Sequence, residues 1–257
     1  MRNTQNNEGH TEIADILKQY GAVDPDESDE DGNTAFMWAA FNGNTEKVKL
    51  LLEVGADPNV SDKDGYTALM KAARKGNTEI VKLLLEAGAD TEAKDRYGNT
   101  ALIIAAEYGR TEVIKLLLEV GADSNTNNKY GYTALIEAAY YGDTELVKLL
   151  LEAGADPNAK NIYGETALMY ASDNTMYTDK VKMLLEAGAD VNAQNIYGKT
   201  ALMYASENRY TEVVKLLLEN GADVNARNTE GWTALKIAER KCYTGIVKLL
   251  LENGVKK

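Results

Sequence analysis

The sequence predicts an all-α solenoid of stacked helix-turn-helix repeats joined by short β-hairpin-like loops. Three observations predict it. The stretch GYTALMKAARKGNTEIVKLLLEAGAD, Gly65 to Asp90, returns as GYTALIEAAYYGDTELVKLLLEAGAD, Gly131 to Asp156, with 20 of 26 positions identical. Looser copies begin at Gly32, Gly98, Gly164, Gly198 and Gly231, so successive glycines lie 33, 33, 33, 33, 34 and 33 residues apart. Within a copy the apolar residues recur at helical spacing. A fixed period of this length marks stacked units, none able to bury its apolar face alone.

The elements of one unit follow in order. Thr67 caps the first helix, its hydroxyl placed to accept from the free backbone N–H groups of the first turn. Leu69, Ala72 and Ala73 follow at i, i+3, i+4 and form one face, and alanine at two of these places lets another helix come close. Gly76 ends this helix, because glycine accepts the left-handed conformation of a helix end. The second helix runs Thr78-Glu-Ile-Val-Lys-Leu-Leu-Leu-Glu86. Its five apolar residues cover more than half the circumference and leave a narrow solvated strip of Glu79, Lys82 and Glu86. Gly88 stops it. A polar loop of about ten residues then leads to the next Gly-x-Thr, short and turn-rich as a projecting hairpin requires.

Three of the six mismatches between the two matched copies change chemistry: Lys71/Glu137, Arg74/Tyr140 and Lys75/Tyr141. Positions 71, 74 and 75 lie opposite Leu69, Ala72 and Ala73 on the helical wheel. One face of the first helix is fixed by packing, and the other is free to carry specificity.

Gly-x-Thr-Ala-Leu-Met-x-Ala, the 33-residue step and Leu-Leu-Leu-Glu-x-Gly-Ala-Asp resemble ankyrin repeats from about Gly9 to Gly254. The chain departs from the family's Thr-Pro-Leu-His core. Alanine stands for the proline at Ala35, Ala68, Ala101, Ala134, Ala167, Ala201 and Ala234. Met37, Met70, Ile103, Ile136, Met169, Met203 and Lys236 stand for the histidine. Alanine suits a first helical turn. Loss of the histidine exchanges a polar link between repeats for apolar packing. The resemblance implies a non-catalytic scaffold for protein–protein interaction, with hairpin tips and first-helix faces lining a concave binding surface.

Along the chain, residues 1–28 hold an N-terminal half-repeat cap and an acidic loop. Residues 9–22 match only a second helix, a cap over the first unit or the cut edge of a longer protein. Asp24 to Asp31 contains six acids in eight residues, a solvated hairpin or a weak divalent-cation loop without EF-hand spacing. Repeats then occupy 29–61, 62–94, 95–127, 128–160, 161–194, 195–227 and 228–257, expected as one continuous array with the last as C-terminal cap. The fifth is one residue longer between its two helices. It lacks the glycine that ends the first helix, and the sixth and seventh have Arg209 and Cys242 there. This is drift in a solvent turn or a reshaped lip beside the binding face.

Composition narrows the function. The net charge is −12 and the pI about 4.7, which disfavours nucleic-acid and anionic-membrane partners. The single cysteine, Cys242, excludes an intramolecular disulfide and fits a reducing, cytoplasmic compartment. Residues 1–10 lack the apolar core of a signal peptide. The one histidine, His10, leaves no Ser-His-Asp or Cys-His pairing and no Cys/His zinc site. No phosphate loop occurs. The expectation is a monomer without enzymatic activity, metal or cofactor.

Aromatic residues stand out: 15 tyrosines against 2 phenylalanines. Tyr97, Tyr130, Tyr163 and Tyr197 precede the repeat glycine in four successive units, and Tyr66, Tyr132 and Trp232 follow it. The outward face of the first helices adds Trp38, Phe41, Tyr108, Tyr140, Tyr141, Tyr170 and Tyr204, with Arg74 and Lys75 among them. Lys63, Arg96, Lys129, Glu137, Glu165, Lys199 and Arg227 hold neighbouring positions. Tyrosine offers rigid area, a hydroxyl and two torsions to freeze, so these residues are the candidate partner-binding face. The tip tyrosines pack between adjacent hairpins or meet a ligand. A protein partner is the first expectation. A small molecule or glycan on stacked tyrosines is the second, and a structural spacer within a larger protein the third.

Overall fold

The computed structural model describes residues 26–142, 144–174 and 178–254. The half-repeat expected over residues 9–22 lies outside the described residues, as do His10, part of the fifth-repeat turn and the C-terminal Val-Lys-Lys. Among the described residues there are fourteen helices and no strand. The fold is an all-α repeat solenoid.

The chain gathers into two compact units, one up to Ala122 and one from Asp123 onward. The first holds α1 (Ala35–Asn42), α2 (Thr45–Glu53), α3 (Ala68–Lys75), α4 (Thr78–Glu86), α5 (Ala101–Glu107) and α6 (Thr111–Glu119). The second holds α7 (Ala134–Tyr141), α8 (Thr144–Glu152), α9 (Ala167–Asn174), α10 (Thr178–Glu186), α11 (Ala201–Glu207), α12 (Thr211–Glu219), α13 (Ala234–Arg240) and α14 (Thr244–Glu252). In the first unit α1 packs on α3 and α3 on α5, while α2 packs on α4 and α4 on α6. In the second unit α7, α9, α11 and α13 form one layer, and α8, α10, α12 and α14 the other.

The local causes match the sequence logic. The Thr67 hydroxyl accepts from the backbone N–H of Met70 at 3.3 Å, and Thr34, Thr100, Thr133, Thr166, Thr200 and Thr233 cap their helices in the same way. Leu69, Ala72 and Ala73 are fully buried, as are Ile80, Val81 and Leu84 of α4. Leu83 and Leu85 stay half-buried, so the packed arc of the second helix is narrower than the run of leucines suggests. Glu79, Lys82 and Glu86 face water. Met37, Met70, Ile103, Ile136, Met169 and Met203 are buried, whereas Lys236 in the last repeat is exposed.

Polar links between repeats lie elsewhere. The amide of Asn77 donates to the carbonyl of Ala40 at 2.7 Å, the guanidinium of Arg110 to that of Arg74 at 3.1 Å, and the amide of Asn208 to that of Asp173 at 3.0 Å. Each side chain satisfies carbonyls left open at the end of the preceding first helix. Lys180 does the same for Ala139 (2.9 Å) and Gly142 (3.2 Å). It is 8% exposed at a position where α4 has Ile80, so its stem packs in the core and its ammonium caps α7. At the opposite edge Asn59, Asn125, Asn158 and Asn192 each bridge to the next Gly-Ala-Asp loop. Asn158, for example, accepts from the Asp190 N–H at 2.7 Å and donates to the Gly188 carbonyl at 3.0 Å. The loops are hairpin-like without being strands: single antiparallel bridges join Ser28 to Thr34, Ser61 to Thr67 and Asn127 to Thr133.

Candidate functional site

Each hairpin is organised by one aspartate or asparagine. The Oδ1 of Asp62 accepts from the backbone N–H groups of Asp64 (3.0 Å) and Tyr66 (2.8 Å). Asp29, Asp95, Asn128, Asn161, Asn195 and Asn228 each accept from the residues two and four further on. In four hairpins the residue two further on is the tip tyrosine, so Tyr97, Tyr130, Tyr163 and Tyr197 stand on a fixed backbone. Gly65 permits the hairpins to touch. Its φ is +83°, and a Cβ there would come within 3.0 Å of the Asp95 Cα. The Arg96 N–H donates to the Asp64 carbonyl at 2.7 Å across this approach.

None of the sixteen expected contact residues is buried. Their surroundings differ between the units.

In the first unit Trp38, Phe41, Tyr66, Tyr97 and Tyr108 are interleaved with cations. Arg74 lies over the Tyr108 ring at 5.1 Å, Lys75 over Phe41 at 4.3 Å, Arg96 over Tyr97 at 4.7 Å and Lys71 over Tyr66 at 5.4 Å. Asp62 binds the Lys71 ammonium at 2.7 Å, with both side chains largely covered, and Asp64 binds Arg96 at 2.7 Å in the open. The Trp38 indole donates to Asp29 Oδ2 at 3.1 Å. That bond and the Asn33 N–H hold the Asp29 carboxyl below the usual carboxylate range. An open groove of about 690 Å³ runs over Trp38, Phe41, Tyr66, Lys71, Arg74 and Tyr97. A neighbouring cavity of about 210 Å³ lies between Tyr66, Arg74, Glu107 and Tyr108. Burial first, then the facing Asp95 carboxylate, pushes the Tyr66 hydroxyl up to about 12. Burial likewise raises the Glu107 carboxyl, against the pull of Arg74.

In the second unit the tyrosines bind carboxylates and one another. Tyr170 donates to Glu165 Oε2 at 2.6 Å, and Tyr204 donates to Glu165 Oε1 at 3.0 Å. The Tyr132 and Tyr170 hydroxyls are 2.8 Å apart, and Asn161 donates to Tyr170 at 3.2 Å. Asn195 donates to Tyr204 at 3.1 Å. Burial and then Glu165 raise the Tyr170 and Tyr204 hydroxyls far above the ordinary tyrosine value. Tyr140 meets Tyr141 edge-on at 4.4 Å and Tyr170 at 5.6 Å. Arg240 lies over Trp232 at 5.0 Å. The most exposed rings are Tyr141, at 59%, and the tips Tyr130, Tyr163 and Tyr197 at 47, 42 and 54%. These tips are tied through backbone rather than ring contact: the Ile162 N–H donates to the Tyr130 carbonyl, and Ile196 to Tyr163, both at 2.9 Å. Ile162 and Ile196 are as exposed as the tip tyrosines. Sequence reasoning passed over both, although Ile-Tyr-Gly recurs at 162–164 and 196–198.

The hubs Asp62, Asn161 and Asn195 were also absent from the expected site, although each stands nine residues before its partner, Lys71, Tyr170 or Tyr204.

A family model described as ankyrin repeats (3 copies) matches residues 4–62, 43–128, 88–161, 120–195 and 168–257. The chain belongs to the ankyrin-repeat family. None of the curated proteins compared with it matches. Ankyrin repeats are generally protein–protein interaction modules on a typically non-catalytic scaffold. Among the described residues no helix is long and apolar enough to cross a membrane. No group of three or more His, Cys, Asp or Glu side chains among them is placed to hold a metal ion.

Proposed function

We propose that the chain is a monomeric, non-catalytic, cytoplasmic scaffold that binds a protein partner through the aromatic face of its hairpins and first helices, its repeats acting as one array. The observation that carries this is the state of the sixteen aromatic and basic side chains. None is buried; cations, carboxylates or neighbouring rings restrain those on the first helices, and the tips Tyr130, Tyr163 and Tyr197 stand on a backbone held by hydrogen bonds to the next hairpin. Rigid, amphipathic rings that lose little entropy on contact are the usual anchors of protein interfaces. The edge-on rings of Tyr140, Tyr141 and Tyr170, the paired hydroxyls of Tyr132 and Tyr170, and the Tyr204 hydroxyl bound to Glu165 favour this over a stacked ladder for flat ligands or glycans. The net charge of −12 disfavours nucleic acid.

The test is a cross-linking pulldown from lysate of the source cells. The Tyr108→Ala, Tyr141→Ala, Tyr163→Ala triple variant is expected to lose the captured protein while melting within about 2 °C of the parent, since exposed substitutions change stability little. Undiminished capture by the triple variant counts against this face. A thermal shift with a small molecule or glycan, and no captured protein, supports the second reading instead.

A further inference from the structure

We propose that the first-helix face of the first unit docks an acidic, extended peptide segment of the partner, with Arg74 and Lys75 as the groups that receive its carboxylates. This rests on the protein-binding reading above and narrows it to one chemistry.

Charge complementarity carries the argument. The chain has 40 acidic side chains against 28 Lys and Arg, so its net charge opposes a carboxylate-rich segment. The groove over α1 and α3 reverses that balance. Lys63, Lys71, Arg74 and Arg96 line it against Asp31, Asp62 and Asp64. Two of those three carboxylates are engaged, Asp62 by Lys71 and Asp64 by Arg96. Arg74 and Lys75 are adjacent in the last turn of α3 and both exposed; neither is in a salt bridge among the described residues, and the one carboxylate that shares the smaller cavity with Arg74 is the half-buried Glu107.

Their placement favours an incoming anion. Each rests on a ring, Arg74 on Tyr108 and Lys75 on Phe41. A ring beneath a cation restrains the head group and leaves its outer side open to a carboxylate. Less freedom is then lost on binding than from a waving lysine or arginine. Arg74 also borders both the groove of about 690 Å³ and the cavity of about 210 Å³. A carboxylate on Arg74 would therefore leave the next apolar side chain of the segment a choice of two aromatic-walled spaces.

The mixed charge selects a peptide over a phosphate polymer. Asp31 and Asp64 stay within the groove and oppose closely spaced phosphates. A peptide spaces its carboxylates by whole residues and brings backbone N–H donors that aspartate oxygens can accept.

Fluorescence anisotropy with the full chain tests this. The probes are a fluorescein-labelled twelve-residue peptide of Asp, Glu and Leu, its Asn, Gln and Leu counterpart, and a labelled twelve-nucleotide oligothymidylate, each at low and high salt. The acidic peptide is expected to bind at least about tenfold more tightly than the amide peptide and to weaken with salt. The Arg74→Glu, Lys75→Glu variant is expected to lose about tenfold or more. Lys215→Glu with Lys248→Glu, which changes net charge equally on exposed second-helix positions, is expected to lose less than about twofold. Arg74→Gln with Lys75→Gln provides a milder pair should the charge reversal disturb folding, and it is expected to weaken the acidic peptide in the same direction. Equal affinity for both peptides, equal loss in the two glutamate double variants, or tighter binding of the oligothymidylate overturns the proposal. If the pulldown still depends on Tyr108, Tyr141 and Tyr163 while the acidic peptide does not bind, the protein-binding reading stands and this inference alone fails.

Discussion

Replacing Cys242 with glycine is expected to stabilise the protein, by an amount that follows from one backbone angle. Gly43, Gly76 and Gly109 sit between the two helices of the first three repeats with φ of 75°, 79° and 64°. Arg209 and Cys242 hold the same place in the last two repeats with φ of 64° and 59°. In this region the Cβ of an L-residue crowds a carbonyl oxygen, at about 1–2 kcal/mol. Glycine avoids that but loses more freedom on folding, about 0.5–1 kcal/mol. Cys242 is exposed, so little burial is lost with its side chain. The net gain for Cys242→Gly is about 0.5–1 kcal/mol, or about 1–4 °C in melting temperature for a chain of this length. Arg209 differs, because its guanidinium lies over the Tyr243 ring at 5.7 Å. An exposed contact of that kind contributes about 0.5–1 kcal/mol, so Arg209→Gly is expected to be nearly neutral. Gly109→Ala is the converse. A Cβ there meets no atom within 4 Å, so only the dihedral opposes it, and a loss of about 1 kcal/mol is expected. Urea and thermal denaturation followed by far-UV circular dichroism read all three. A Cys242→Gly chain that unfolds earlier than the parent, or a Gly109→Ala chain that behaves like it, would refute the assignment of the cost to this angle.

Two further outcomes are expected. Ser206 is fully buried in α11, its hydroxyl has no hydrogen-bond partner, and the equivalent residues of the first four repeats are alanines. Ser206→Ala should stabilise by about 1 kcal/mol, and a lower urea midpoint in that variant would contradict the packing. The Tyr66, Tyr170 and Tyr204 hydroxyls are all raised in the folded protein, Tyr66 to about 12. An unfolded tyrosine titrates near about 10. The stability tied to these groups is therefore fully present below about pH 10 and is lost as pH rises through the folded values. Melting temperature should fall across that window, and less so in Tyr66→Phe. Tyrosinate absorbance rising in one step near pH 10 with native dichroism intact would count against it.

Much of the fold was legible because its determinants are local and repeated. Threonine caps, helix-ending glycines and alanine faces act within a few residues, and recurrence in each repeat removes ambiguity about register. The sites of variation were legible too, since positions 71, 74 and 75 lie opposite the packed face by helical geometry alone. What each varied side chain does was less so. Glu165 stood among the neighbouring positions only as one charge of several, yet it joins Tyr170, five residues on, to Tyr204, 39 residues on. A contact of that separation depends on where two successive repeats place their side chains, which periodicity does not specify. Lys180 shows the same limit from the other side. On the wheel it is a charge at a packed position, and only the open carbonyls of α7 explain why the core accepts it.

The two units thus use one packed face to support two kinds of surface, and the residue opening each hairpin tracks the difference. Asp29, Asp62 and Asp95 open the first three, and Asn128, Asn161, Asn195 and Asn228 the last four. Where the residue nine positions on is a donor, as with Trp38 and Lys71, a carboxylate receives it. Where it is Tyr170 or Tyr204, an amide donates to the hydroxyl and frees that hydroxyl's own proton for Glu165. The same Oδ1 meanwhile fixes the hairpin in every case, so the exchange of Asp for Asn leaves the backbone unchanged and alters only what stands on it. Specificity can therefore diverge repeat by repeat without disturbing the core, because the atom that shapes the turn and the atom that sets the surface chemistry belong to one side chain but face different partners.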